Sequence, residues 1–261
     1  MASELVFDIR LEKHGHVAVL TIDHAPVNAL HPLVGAAIAR RLAEVATDDS
    51  LRALVITGAG KHFMAGGDIT FFPEMDRVSA ERYVLGIQKM QDDLATLRIP
   101  VIAALNGTTL GGGCELAMAC DIRIVDERAK LGLPEVSLGL IPGAGGTQML
   151  PRLVPMGTAK LLLFTGDRID AAEALRIGLV DKVVPAGTVL EEALAVAERI
   201  AANAPLAVTA AKRAVNLGVQ MSHLDGCRVE ASLFAPLADT QDLKEGVHAF
   251  FDKRTPAFTG K

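Results

Sequence analysis

The stretch Pro100-Val-Ile-Ala-Ala-Leu-Asn-Gly-Thr-Thr-Leu-Gly-Gly-Gly-Cys-Glu-Leu-Ala-Met-Ala-Cys-Asp-Ile-Arg-Ile-Val125 decides how the chain is read. It begins with a short apolar run bounded by Asn106-Gly107, passes three glycines that open a helix, and closes on a second apolar run. Short β-branched runs between turn residues read as buried strands. Working outward, residues 16–22 and 53–57 repeat that pattern. Between the strands, Val34, Ile38, Leu42 and Val45 fall at helical spacing, as do Tyr83, Ile87, Met90, Leu94 and Leu97, so each set predicts a helix covering a sheet face. Beyond residue 135 the chain reads as helix almost throughout. Residues 189–202 and 206–217 are rich in Ala, Leu, Glu and Arg and are separated at Asn203-Ala-Pro205; such residues lose little entropy in a helix. A last helix is predicted over 241–253, with Leu243, Val247, Phe250 and Phe251 on one side and Pro256 ending it. The fold class expected is α/β, in two unequal parts.

The composition fits an ordinary globular protein. With 261 residues, 50% of them hydrophobic and 22% charged, folding hides roughly 70 to 75% of the unfolded surface. A disordered chain would be poorer in apolar residues and more highly charged. The formal net charge is −5, and no block of like charges stands out, which speaks against nucleic acid as a partner. Cys114, Cys120 and Cys227 have no C-x-x-C spacing and read as reduced thiols rather than a disulfide framework or zinc site. His14 and His16 have no third ligand at metal spacing, so no metal is expected. The opening Met1-Ala-Ser-Glu-Leu-Val-Phe-Asp-Ile-Arg10 lacks a signal or transit pattern. No apolar run approaches the roughly 20 residues of a spanning helix. A cytoplasmic chain with no membrane partner is the expectation.

Glycine clusters at Ala65-Gly-Gly-Asp68, Gly111-Gly-Gly-Cys-Glu115 and Pro142-Gly-Ala-Gly-Gly-Thr147. Each cluster alone is explained by a tight turn; three together ask for close backbone approach. Two nucleotide motifs fail on inspection. Gly58-Ala-Gly60 has Phe63 where a dinucleotide fingerprint needs its third glycine, and Gly60-Lys61 has Val55 where a P-loop needs its first. What remains is the use of free backbone N–H groups to hold a developing oxyanion. Gly67 and Gly112 suit this role, because no side chain blocks approach and a helix N-terminus favours negative charge. Glu115 and, 20 residues later, Glu135 sit among apolar neighbours, where burial raises a carboxyl toward proton-transfer range. A helix-dipole role for Glu115 and an ion pair for Glu135 are the bland alternatives. Asp68 reads as a helix N-cap for the residues after it.

His62-Phe-Met-Ala-Gly-Gly-Asp-Ile69, Gly111-Gly-Gly-Cys-Glu-Leu-Ala117, Leu133-Pro-Glu135 and Gly139-Leu-Ile-Pro-Gly-Ala-Gly-Gly-Thr-Gln148 resemble the enoyl-CoA hydratase/isomerase, or crotonase, superfamily. The likeness extends through Ala25-Pro-Val-Asn-Ala-Leu30 to Phe250-Phe-Asp-Lys-Arg-Thr-Pro256. It implies a spiral of ββα units over residues 1–195 and a C-terminal helical trimerisation region over 196–261. It also implies a homotrimer or dimer of trimers. The resemblance assigns the oxyanion donors to Gly67 and Gly112, the base to Glu115 and the acid to Glu135. The implied reaction is hydration of a trans-2-enoyl-CoA to a 3-hydroxyacyl-CoA in fatty acid β-oxidation, with coenzyme A as part of the substrate and no separate cofactor. Pro26, Val27, Ala29, Ala65 and Lys253 are implied to bind CoA, and Phe71, Phe72, Met75 and Leu140 to line the acyl pocket. Gly67 stands where Ala is common in the family, and Met149 where Arg is common. An isomerase needs only one carboxylate, and the second glutamate argues against it. A branched or cyclic enoyl-CoA hydratase would keep both. RNA binding is disfavoured by the acidic charge, the absence of Trp and the single Tyr83.

Overall fold

In the computed structural model residues 5–261 are described, so Met1 to Glu4 of the N-terminal stretch lie outside the described residues. Strand β1 (Asp8–His14) turns back antiparallel onto β2 (Val17–Asp23). Helix α1 (Pro32–Thr47) follows, with Val34, Ile38, Leu42 and Val45 buried as its spacing predicts. The chain then repeats one manoeuvre three times. Strand β3 (Ala53–Gly58) joins the first sheet, β4 (His62–Ala65) joins a second, and α2 (Arg77–Ala95) covers them. Next come β5 (Val101–Leu105), β6 (Thr108–Leu110) and α3 (Gly112–Ala119), then β7 (Ile122–Asp126), β8 (Lys130–Gly132) and α4 (Gly146–Leu153). The result is a spiral of ββα turns. Helix α5 (Met156–Thr165), β9 (Arg168–Asp170), α6 (Ala171–Arg176) and β10 (Lys182–Val184) complete the two sheets, ordered β1-β2-β3-β5-β7-β10 and β4-β6-β8-β9.

The large sheet is parallel from β2 to β10 and buried on both faces, which is why its strands read as continuous apolar runs. In register across the sheet, Val19 lies opposite Val55, Val55 opposite Ile102 and Ile102 opposite Ile122. This row packs under helix α7 (Val189–Ala201). That helix presents Val189, Ala193, Ala197 and Ala201 to the sheet, a stripe of small side chains at four-residue spacing that lets it lie close. The alternate residues, Leu20, Leu54, Ile56, Ala103 and Leu105, enter the main core. Two asparagines close the corners where the chain leaves one sheet for the other. Asn28 donates to the carbonyls of Ala59 and His62, and Asn106 accepts from Gly58 N and donates to Gly60 O.

Some details differ from the reading of the sequence. Helix α7 spans residues 195 and 196, and both its halves pack on the same sheet. Among the α-helices, α8 (Pro205–Gly218) and α9 (His223–Phe234) are the first with no apolar residue in the core. The last helix, α10 (Gln241–Asp252), ends three residues before Pro256's neighbour Thr255, with Lys253 in the left-handed conformation as its cap. Its Leu243, Val247, Phe250 and Phe251 face outward, the last two 79% and 75% exposed. The region after residue 135 also contains β9 and β10, whose three residues each are too few to display a period.

A buried ion pair fastens α8 to the sheet. Lys212, 6% exposed at its side chain, donates to Asp121 Oδ2 at 2.8 Å and to Ile99 O at 3.0 Å. Replacing Asp121 by Ala strands a buried ammonium, so urea denaturation is expected to lose roughly 3 kcal/mol, and the double variant with Lys212→Met to recover part of it. An Asp121→Ala midpoint equal to that of the wild type would contradict this anchoring.

Candidate active site

Strand β4 ends in the turn Gly66-Gly67, and α3 begins at Gly112, one layer away. What brings them together is the absence of side chains. A methyl carbon built on Gly113 would lie 2.1 Å from Met64 O, so the first turn of α3 rests directly on the β4 backbone. Gly111, at φ 51°, would drive such a carbon to 2.7 Å from Glu135 Oε1 and 3.4 Å from Gly66 Cα. Only glycine fits either position. The N–H groups of Gly67 and Gly112 have no acceptor among the described residues. The two residues are close in space: a methyl carbon built on Gly112 would lie 3.9 Å from Gly67 N. The neighbouring N–H groups are already used: Leu30 N donates to Gly66 O and Asp68 N to Leu30 O.

Glu115, in the first turn of α3, is 2% exposed. Its Oε1 accepts from Ala144 N at 2.8 Å and Gly146 N at 2.7 Å, in the loop that opens α4. Burial pushes its pKa up to about 7; the two N–H groups pull the other way, and the Glu135 charge adds to the rise. Glu135 stands in a short 3-10 helix (Pro134–Leu138), not in open loop. Burial raises its proton affinity too. Its Oε2 is buried without a partner among the described residues, so the ion pair considered for it is not made.

All four of these residues line one cavity of about 430 Å³. Ala65, Phe72, Met75 and Leu140 also border it. Phe71 does not: it faces an adjoining apolar groove between α1 and α2, edge-on to His31, Phe72 and Tyr83. Pro26, Val27, Ala29 and Lys253 lie outside the cavity wall. The first three belong to a loop bonded to β4, the strand that leads into the Gly66-Gly67 turn, Val27 O accepting from Ala65 N. Arg254, beside Lys253, is paired with Glu245 at 2.6 Å. Asp68 caps the 3-10 helix Ile69–Glu74 through Thr70 N.

Tyr83 is a site residue that the spacing hides, because it belongs to the apolar stripe of α2. Its hydroxyl donates to Leu30 O at 3.3 Å, burial raises its pKa well above the usual phenol range, and its ring borders both the cavity and the outer groove. Ala144 and Gly146 are likewise unforeseen as partners of Glu115; only the glycine cluster around them is a signal.

The sequence model of the family described as enoyl-CoA hydratase/isomerase matches residues 12–261. This chain belongs to the enoyl-CoA hydratase/isomerase family. Among its relatives, a short-chain-enoyl-CoA hydratase of Clostridium acetobutylicum is 44% identical, with 95% of each chain covered. A crotonyl-CoA hydratase of Syntrophomonas wolfei is 45% identical over 97% of this chain and 98% of its own. The crystal structure of an enoyl-CoA hydratase from Bacillus anthracis superposes with a TM-score of 0.94 at 40% identity, covering 97% of this chain and 99% of that one. The hydratase/isomerase fold expected from the motifs is therefore the fold of this chain.

For this family member, the raised pKa of Glu115 makes stability depend on pH. Between the ordinary value of 4.5 and about 7, the folded protein keeps a proton that the unfolded chain releases, so stability falls as pH rises through that window. Glu115→Gln removes the slope. Denaturation at pH 5 and pH 8 is expected to show the variant gaining on the wild type by on the order of 3 kcal/mol; an equal difference at both pH values would refute the raised proton affinity.

Proposed function

We propose that this chain adds water across the double bond of a trans-2-enoyl-CoA to give the 3-hydroxyacyl-CoA. The observation that carries the reading is the meeting, in one cavity, of a buried and a half-buried carboxyl, both of raised proton affinity, with two backbone N–H groups unpaired among the described residues. Relatives that hydrate short enoyl-CoA thioesters support it.

The thioester oxygen accepts from Gly67 N and Gly112 N, which draws charge toward it. Glu115, ionised, takes a proton from water as the water oxygen bonds to C3. The π electrons move to C2 and the thioester, forming an enolate whose charge rests on the two N–H groups. Glu135, protonated, gives its proton to C2 as the thioester carbonyl re-forms. The sum is one water added, with the glutamates having exchanged protonation states; transfer of a proton back to Glu135 resets them. The Glu135 charge adds to the rise at Glu115, which disfavours both carboxyls being ionised together. No redox group or metal is needed, since coenzyme A is carried by the substrate.

The CoA portion is assigned to the loop of Pro26, Val27 and Ala29, to Ala65, and to Lys253 at the end of α10. Phe72, Met75 and Leu140 are assigned to the acyl group. The outward apolar side chains of α10, with Phe234 of α9, form an exposed apolar surface of the kind that marks an interface and support a homotrimer or a dimer of trimers. No described helix is long and apolar enough to cross a membrane, and the reading is of a cytoplasmic enzyme of fatty acid β-oxidation.

Crotonyl-CoA is expected to lose its conjugated-thioester absorbance in the presence of the protein. Glu115→Gln and Glu135→Gln are each expected to lower turnover by about 10²- to 10⁴-fold. Full hydration by Glu135→Gln would overturn the two-carboxylate mechanism, and double-bond migration without hydration would favour an isomerase.

Tyr83 stands between the cavity and the outer groove, where its ring limits the length of acyl chain accepted. Tyr83→Ala is expected to shift kcat/KM at least 10-fold toward longer enoyl-CoAs relative to crotonyl-CoA, each added methylene being worth roughly 1 kcal/mol or more. Unchanged relative preference would remove Tyr83 from that role.

A further inference from the structure

The loop that holds Glu115 has little to hold itself. Residues 142–146 read Pro-Gly-Ala-Gly-Gly, and Gly145 is at φ 95°. The N–H groups of Ala144 and Gly146 are both spent on Glu115. Among the described residues, the carbonyls of residues 141–144 receive a single hydrogen bond: Gln88 Nε2 donates to Gly143 O at 2.8 Å, from a partly buried position on α2. The same face of α2 supplies two packing contacts. A methyl carbon built on Gly143 would lie 2.9 Å from Val84 Cγ2, and one on Gly145 would lie 3.5 Å from Oε1 of the buried Gln91. Val84, Gln88 and Gln91 are spaced to share one side of a helix. Three side chains of α2 therefore grip the loop, and only one of them does so by a directed bond.

We infer that Gln88 is a positioning residue for the base: by tethering Gly143 it fixes the two N–H groups on Glu115 Oε1. A glycine-rich loop has many alternative conformations, and a tether at one carbonyl removes those that swing Ala144 and Gly146 away. Those N–H groups stabilise the ionised carboxylate, the form that accepts the proton. Gln88 itself does not border the cavity and touches no reacting atom. Its effect is on how readily Glu115 gives up its proton before each turnover.

Glu115 is also faced by other ionisable groups, and the test has to hold them constant. Glu135 approaches from the 3-10 helix Pro134–Leu138, and Tyr83 from α2. Cys114, adjacent on α3, is kept neutral by burial. Asp76 and Arg77 border the cavity at the start of α2. A neutral substitution at position 88 alters none of these charges.

The experiment compares wild type, Gln88→Met and Gln88→Leu. Both variants are neutral and remove the donor; Met keeps the length and Leu shortens it. The acid limb of kcat/KM for crotonyl-CoA is measured, together with the carbon-13 titration of the Glu115 carboxyl in the free protein. Loss of the tether raises the proton affinity of Glu115, so both variants are expected to move both curves up by at least half a pH unit. That corresponds to about a threefold loss of activity well below the limb and recovery above it. A variant with an unmoved limb overturns the inference, whether its activity is intact or uniformly reduced at every pH. Should Gln88→Met fail to fold, the Leu variant still decides. The kinetic limb rests on the proposed hydration, but the carboxyl titration does not. A wild type that titrates as described yet leaves crotonyl-CoA unchanged would count against the hydration reading alone.

Discussion

The contact on which the site depends is backbone against backbone, between the first turn of α3 and the end of β4. At Gly113 there is no room for even one carbon beside Met64 O. At Gly111 the same volume is taken by Glu135 Oε1. Because these positions are empty of side chains, Gly67 and Gly112 end up close together although 45 residues separate them in the chain. Any larger residue would push α3 off the strand and move the two glycines apart. The glycines thus act by what they lack, and the entropy they cost on folding is offset by the extensive core around them.

That core also sets the electrostatics. Glu115 occupies a helix turn whose neighbours Cys114, Leu116 and Ala117 are all buried. An ionised carboxylate there is expensive, and a loop of small residues supplies just two N–H groups to lessen the cost. The compromise leaves the group near neutrality in its proton affinity, where a proton can be taken and returned with little penalty either way. Glu135 has less burial and no hydrogen bond at its Oε2. The two carboxyls are alike in chemistry and differ in environment, and the difference comes from which backbone faces them.

Much of this architecture is legible in the sequence because the large sheet is buried on both faces. Its strands must then be continuous apolar runs, and β2, β3, β5 and β7 announce themselves. The glycine clusters and the two glutamates are legible for a related reason: such residues are unfavourable in a core without a purpose. The short strands β6, β8, β9 and β10 are not, since three residues define no period. Tyr83 and Gln88 hide inside the helical pattern of α2, where an apolar stripe and its polar flank look the same whether they face a core or a cavity. Phe71 and Phe72 are neighbours of identical type, and only the turn of the 3-10 helix sends one toward the cavity and the other toward the groove. The outward apolar face of α10 is the opposite case, a helix legible from its spacing whose large apolar residues stay exposed.

The alternation of strands between two sheets has a consequence for how the molecule comes into being. Each turn of the spiral deposits one strand in the large sheet and one near the cavity, so the site is contributed in instalments by residues 67, 112, 115, 135, 144 and 146. A nascent chain that has just completed β5 can already pair β2, β3 and β5, but it has neither glutamate. The hydrogen-bond partners of Glu115 arrive 29 and 31 residues after Glu115 itself. Loop-closure entropy must be overcome for each of these distant contacts before any of them rewards the chain. The order of synthesis therefore builds the scaffold first and the chemistry last, and a buried carboxylate is not confronted with its own desolvation until the loop that relieves it is available.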